Sequence, residues 1–285
     1  MRAGAIQPTI AIDLERCGLG GTAILSIACD QDRAGEVAEA LARRPEARFV
    51  ATTIGEQDVL AEVIVAPGTE LTQLVNADLA RVQGIQRIYC ARVLRTHKAS
   101  HDWTFPVLGE AAEWEDVEAT SGSKPGPLLS LDELDRRLMA ILQLDCRASF
   151  PRLAEETGSS ESVVRRRVEL LIDSGAIRAL GLVDARYLGY QCEFFLRLRT
   201  ELSHLQKAVT HLVSAGPVRY LSATSNVGEL LAEVVLPAQT DMLAFYESTL
   251  GLLPGLTEAA VSIEGRILKR GFARMPGGDP RDTSR

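Results

Sequence analysis

The chain has 285 residues, 46% of them apolar and 24% charged, with a formal net charge of −7. That length exceeds one small domain and suits two or three compact ones. The composition is that of a soluble globular protein without an apolar run of membrane-spanning length. The acidic balance excludes a chain that binds nucleic acid over its whole surface, but not one basic helix on an acidic body.

The start of the chain carries no secretory pattern, since Arg2 is followed by no long apolar core and Gly20-Gly21 interrupt the stretch. A cytoplasmic protein with no membrane partner is expected. The five cysteines (Cys17, Cys29, Cys90, Cys146, Cys192) are odd in number and form no CxxC pair, so they read as small buried apolar residues. The four histidines show no ligand spacing, and His97 and His101 read as solvated. No metal site, catalytic residue or cofactor is expected.

In chain order, Ala23 to Cys29 reads as a strand, and Ala34, Val37 and Leu41 mark one face of a helix. Arg48 to Ile54 and Val59 to Val65 are two strands joined by a tight turn at Gly55-Glu56-Gln57-Asp58. Leu71, Leu74, Val75, Leu79 and Val82 predict a second helix ending near Gly84, and Ile85 to Leu94 a last strand. The order is that of a ferredoxin-like βαββαβ unit. Residues 99–130 read as a linker, acidic and then rich in Ser, Gly and Pro, with Trp103, Phe105 and Val107 as an apolar exception.

Residues 131–178 read as three helices. The first runs from about Asp132 to Leu144. The second runs from about Phe150 to Thr157, with Pro151 in its first turn, where the missing N–H does no harm. Gly158 makes the turn and Ser160 is a good N-cap for the third, which ends at Ser174-Gly175. On that helix Val164, Val168 and Leu171 share an inward face, leaving Glu161, Ser162, Arg165, Arg166 and Arg167 on or beside the outer one. Ser and Arg near the start of such a helix suit the major groove, where a guanidinium can bridge two guanine acceptors or clamp a phosphate. The expected DNA-contacting set is Ser160, Ser162, Val163, Arg165, Arg166 and Arg167.

The chain also repeats itself. Residues 4–98 align without a gap on 175–269, with 18 identical pairs in 95 positions against about 6 expected by chance. Gly4-Ala5-Ile6 matches Gly175-Ala176-Ile177, Arg48 matches Arg219, Thr53 matches Thr224, and Leu60-Ala61-Glu62-Val63 matches Leu231-Ala232-Glu233-Val234. The expected fold is therefore α+β, with ferredoxin-like units at 1–98 and 179–272 flanking a helix-turn-helix at 131–178, and a disordered tail at 273–285. Met1 corresponds to Ile172, inside the recognition helix. The first copy is thus expected either to have lost a helix-turn-helix, of which 1–6 is the remnant, or to have a start assigned too far downstream.

Leu131-Asp132-Glu133-Leu134-Asp135, Asp145-Cys146-Arg147-Ala148-Ser149, Leu153-Ala154, Ser160-Glu161-Ser162, Val164-Arg165-Arg166-Arg167-Val168 and Ser174-Gly175-Ala176-Ile177 together resemble the helix-turn-helix of the Lrp/AsnC regulators. Each repeat resembles that family's effector domain. Ser159 departs from the pattern, which usually has an apolar residue there. The resemblance implies a DNA-binding transcriptional regulator, partnered by double-stranded DNA and by itself as a homodimer or higher even oligomer. It also implies a small-molecule effector, an amino acid or related metabolite, bound between paired effector domains near a Gly-x-x-Asp turn.

In copy one that turn gives Thr53, Gly55, Glu56, Gln57 and Asp58; in copy two it gives Thr224, Asn226 and Glu229, where Asn replaces Gly and Glu replaces Asp. An Asp can neutralise an ammonium, and a turn Gly lets backbone N–H groups approach a carboxylate. Two alternatives stay open. One is an enzyme resembling the siroheme decarboxylases on the same fold, against which the repeats' shortage of His counts. The other is a sensing or oligomerising module with a vestigial helix-turn-helix.

Overall fold

The computed structural model describes residues 6–30, 32–73, 75, 79–99, 128–271 and 273–274. The first repeat supplies β2 (Gly21–Cys29), α1 (Ala34–Ala42), β3 (Ala47–Gly55), β4 (Val59–Val65), a short α2 (Leu71–Gln73) and β5 (Ile85–Lys98), preceded by β1 (Ile6–Ile12). Three helices follow: α3 (Glu133–Leu144), α4 (Phe150–Thr157) and α5 (Glu161–Asp173). Then come β6 (Ile177–Val183), β7 (Cys192–Thr200), α6 (Leu205–Ser214), β8 (Val218–Thr224), β9 (Glu229–Leu236), α7 (Met242–Phe245), β10 (Leu256–Arg270) and a short β11 (Ala273–Arg274).

Each repeat builds the four-stranded order expected of it, β3-β4-β2-β5 in the first and β8-β9-β7-β10 in the second. The two sheets then join at both edges, β5 to β8 and β10 to β3, so that eight antiparallel strands form a closed ring. Closure leaves neither sheet a free edge for pairing. β5 and β10 run past their own sheets to make these seams. For that reason β5 reaches Lys98 rather than stopping at Leu94, as the local pattern predicts.

The strands are apolar on both faces because both are covered. Outward, α1 packs on Leu25, Ile27, Val50 and Val63 of the first sheet, and α6 on Leu196, Leu198, Leu221 and Val234 of the second. Inward, Ile24 and Leu60 of the first sheet meet Phe195, Tyr220 and Leu231 of the second, with Phe49 edge-on to Phe195 at 5.6 Å between ring centroids.

The second helix of each repeat mixes helix types. In the first, Leu71–Gln73, a π-type Val75 and a 3₁₀ turn at Leu79–Arg81 are helical among the described residues, and Leu71, Val75, Leu79 and Val82 reach the core as their spacing predicts. In the second, α7 widens into a π turn at Tyr246–Leu250. His97, read from sequence as solvated, is half-buried, and burial together with Arg95 holds its pKa below the usual value. Most of the predicted linker (100–127), the tail from 275 and residues 1–5 lie outside the described residues.

Candidate DNA interface and effector turns

The helical unit is built as its sequence predicts. Asp132 caps α3 in a reciprocal box with Asp135, Pro151 sits in the first turn of α4, and Gly158 takes the left-handed conformation (φ 69°) that ends it. Ser160 caps α5 by accepting from the Val163 N–H. Val164, Val168 and Leu171 are buried against Leu138, Leu142 and Leu153, so their spacing fixes which face of α5 looks out.

That outer face carries Ser162, Val163, Arg165 and Arg166, all exposed, with the Ser160 and Ser162 hydroxyls 3.2 Å apart at its start. Arg165 lies 4.2 Å from the Phe150 ring centroid and reaches Glu161, which orients the guanidinium along the helix. Arg167 is turned the other way. It pairs with Asp132 and lies 3.4 Å from Asp135, whose pKa is raised by burial, and so ties α5 to the capped start of α3. Arg16 donates to the Ser174 carbonyl at the end of α5, and Asp13 N–H donates to the Ala176 carbonyl. The end of α5 is thereby pinned to the first repeat.

β1 and β6, the strands that enter the two repeats, pair as an antiparallel ribbon from Ile6↔Val183 to Ile12↔Ile177. Between this ribbon, the C-terminal end of α5 and the inter-sheet space lies a cavity of about 1590 Å³, lined among others by Ile12, Arg48, Ile172, Arg178, Tyr220 and Arg270.

The turn residues fall into two different arrangements. In the first turn, Gly55 has φ 143° and lies flat on β10: a Cβ there would sit 2.4 Å from the Val261 carbonyl oxygen. Asp58 accepts from the Cys29 N–H at 2.7 Å, and the Thr53 hydroxyl donates to the Gln57 carbonyl. Glu56 pairs with Arg197 of the second repeat, and its N–H donates to the Ser262 hydroxyl.

In the second turn the left-handed residue is Gly228 (φ 72°), and Asn226 does not use the positive φ that its type tolerates. The Asn226 amide donates to the Tyr89 hydroxyl at 2.6 Å and to Glu229 at 3.0 Å, while Glu229 also accepts from Thr224 and Tyr89 at 2.7 Å each. Arg197 stacks 4.9 Å from the Tyr89 ring centroid and lies 4.0 Å from Glu229. Burial and the bond to Glu229 push the Tyr89 pKa up to about 12.

Sequence reading missed a third group. Arg219 is 3% exposed and is gripped by Glu193 and Glu233; Arg270 adds contacts to Glu233 and Glu264 and lies over the Phe49 ring. Glu193, Glu233 and Glu264 converge within 4.8 Å, with two guanidinium groups already supplying the positive charge. The signal was present in the repeat, where Arg48 and Glu62 correspond to Arg219 and Glu233. Those two are themselves 3.5 Å apart.

Helix, glycine turn and arginine-bearing helix define a helix-turn-helix unit set beside two βαββαβ repeats. Residues 131–172 match the AsnC-type helix-turn-helix domain, and 22–103 match the Lrp/AsnC ligand binding domain. The chain is 27% identical over 146 residues to an uncharacterized HTH-type transcriptional regulator of Pyrococcus furiosus, covering 51% of this chain and 99% of the relative. It is 26% identical over 152 residues to the DNA-binding transcriptional activator DecR of Escherichia coli, covering 49% of this chain and 94% of the relative. Both family matches are thus to Lrp/AsnC domains, and together they take in somewhat less than half of the chain.

Among solved structures, the siroheme decarboxylase NirDL shares the fold over 94% of this chain and 78% of its own, with a TM-score of 0.65 at 16% identity. Among the described residues, no helix is long and apolar enough to cross a membrane.

Proposed function

We propose that the chain is a sequence-specific DNA-binding transcriptional regulator of the Lrp/AsnC type, modulated by a small molecule bound between two paired effector domains. The observation that carries this is the outer face of α5, where Ser162, Val163, Arg165 and Arg166 stand exposed over a buried Val164-Val168-Leu171 stripe. α5 enters the major groove, Ser160 and Ser162 lie near the phosphates, and Arg165 and Arg166 reach base edges. Arg167 supports this reader from behind.

The second repeat is an effector-type domain paired with the first, giving an effector–reader–effector arrangement. The effector is a small metabolite of the amino-acid class, held near the turn of Thr53, Gly55, Glu56, Gln57 and Asp58. Two chains associate so that two readers meet a two-fold operator about one helical turn apart.

Fluorescence anisotropy on DNA sites selected from a random pool tests the reading. Saturable binding with a log–log salt slope of several units is expected, at about −0.9 per phosphate neutralised. Absence of any salt-sensitive binding rejects it and leaves a sensing module with a vestigial reader. Light scattering on the complex tests the paired state.

A second reading rests on one observation: the likeness that spans nearly the whole chain is to a decarboxylase. An enzyme of that class would take a tetrapyrrole, and titration with an iron porphyrin would produce a shifted Soret band that saturates at a fixed ratio. No spectral change removes this reading.

A further inference from the structure

We propose that the chain takes up its effector at only one of its two turns, because Asn226 fills the second from within. This rests on the effector reading above and fixes its stoichiometry.

The two turns are related by the 171-residue shift, so their contents can be compared place by place. In the second, three side chains close on one another. The Asn226 amide presents its N–H groups to the Glu229 carboxylate and the Tyr89 hydroxyl, and Glu229, 4% exposed, also accepts from Thr224 and Tyr89. A buried carboxylate with three donors is satisfied. An incoming ammonium would have to strip those donors away and would gain only the difference between two good sets of bonds.

In the first turn the three corresponding positions are Gly55, Ala260 and Asp58. Glycine has no side chain and alanine no polar atom. Asp58 is one methylene shorter and is directed to its own Cys29 N–H. None of the three builds a counterpart of the amide–hydroxyl–carboxylate ring. Beside them Glu56 and Arg197 form a partly exposed ion pair, and a zwitterion entering here would exchange that single pair for bonds of its own to the carboxylate and the guanidinium. Arg197 has Ser26 as its counterpart, so the repeat supplies no second such cation, and this one lies between Glu56 of the first turn and Tyr89 beside the second.

The test uses the full chain. The twenty proteinogenic L-amino acids are screened by thermal shift, and the one with the largest stabilisation is titrated by calorimetry into wild type, Asn226→Gly, and Asn226→Gly with Tyr89→Phe. The expected result is one site per chain in wild type and two in at least one variant. Both substitutions leave backbone pairing intact: Asn226 does not need a positive φ, and phenylalanine keeps the ring against Arg197. Two sites in wild type would overturn the inference and leave the effector reading standing. One site in all three proteins would show that Asn226 and Tyr89 are not what closes the second turn. Binding in none of the three rejects the amino-acid effector itself, and the inference falls with it.

Discussion

Thr9 faces Leu180 at the centre of the β1–β6 ribbon, and this is the one pair there that the 171-residue shift maps onto itself. Every other pair has a distinct mate, as Ile6↔Val183 has Ile12↔Ile177. The pair therefore marks an internal two-fold axis, and the seams β5–β8 and β10–β3 are its two related edges. One chain holds within itself the pairing of two ferredoxin-like repeats.

Thr9 is 2% exposed, and its hydroxyl donates to the Gln143 carbonyl near the end of α3 at 2.7 Å. Thr9→Val keeps the shape and leaves that carbonyl without this donor. A loss of about 1–2 kcal/mol is expected in urea unfolding, with no change in the ribbon's own ladder as read by amide exchange.

Arg166→Ala and Arg165→Ala are each expected to weaken binding to a selected site by about 1–3 kcal/mol. Arg167→Ala should behave differently. It leaves Asp132 and the buried Asp135 without this cation, so melting temperature falls while the affinity of the folded fraction stays close to wild type. Anisotropy at fixed salt and a thermal melt of each variant separate the two effects; an Arg167→Ala protein of normal stability and lost affinity would place that residue at the DNA instead.

What the sequence made legible divides along local and non-local lines. The inward stripe of α5, the glycine turn and the Ser160 cap lie within a few residues of one another, and each stands where its spacing put it. The repeat disclosed two like units but not how they meet, because β5–β8 and β10–β3 pairing depends on residues more than a hundred positions apart. The outward set of α5 was legible except for Arg167, whose partners Asp132 and Asp135 belong to another helix. Of the two buried arginines, Arg219 was visible as an identity with Arg48, whereas the same shift pairs Arg270 with Ala99. Their burial was not visible, since a lone Arg in a strand reads as an exposed residue until the second sheet covers it.

Gly55→Ala tests how closely the first turn is pressed on β10. The substituted residue would hold φ near 143°, which L side chains avoid, and its Cβ would meet the Val261 backbone at 2.4 Å. A destabilisation above about 1–3 kcal/mol is expected, since backbone strain of that order is compounded by displacement of the seam. Gly18→Ala, also at positive φ (62°) but in open space, serves as the control and should cost less. Equal losses in the two variants would mean that the contact with Val261 contributes nothing.

The buried charge cluster between the sheets makes stability depend on pH in two opposite senses. Arg219 and Arg270 hold the Glu233 pKa down to about 2, although burial alone would raise it. A depressed folded pKa gives stability that is complete above the unfolded value of about 4.3 and disappears as pH falls through the folded one. Glu264 is the reverse: burial first, and then Glu193, raise its pKa well above the usual carboxylate value.

Such a group favours the fold while protonated, and that contribution is lost as pH rises through the raised pKa. One oxygen of Glu264 is also buried without a hydrogen-bond partner. Glu264→Gln replaces the acid by a neutral group of the same shape. The variant should equal or exceed wild type in melting temperature at pH 8–9 and show a flatter profile as pH rises above about 4.3, with its acid limb unchanged. Arg219→Met should unfold the second repeat's inner face by leaving Glu193 and Glu233 without their main cation, at a cost of about 3–5 kcal/mol. A Glu264→Gln protein that is less stable than wild type at pH 8–9 would show that Glu264 serves the cluster as an anion, and the assignment of its proton would be wrong.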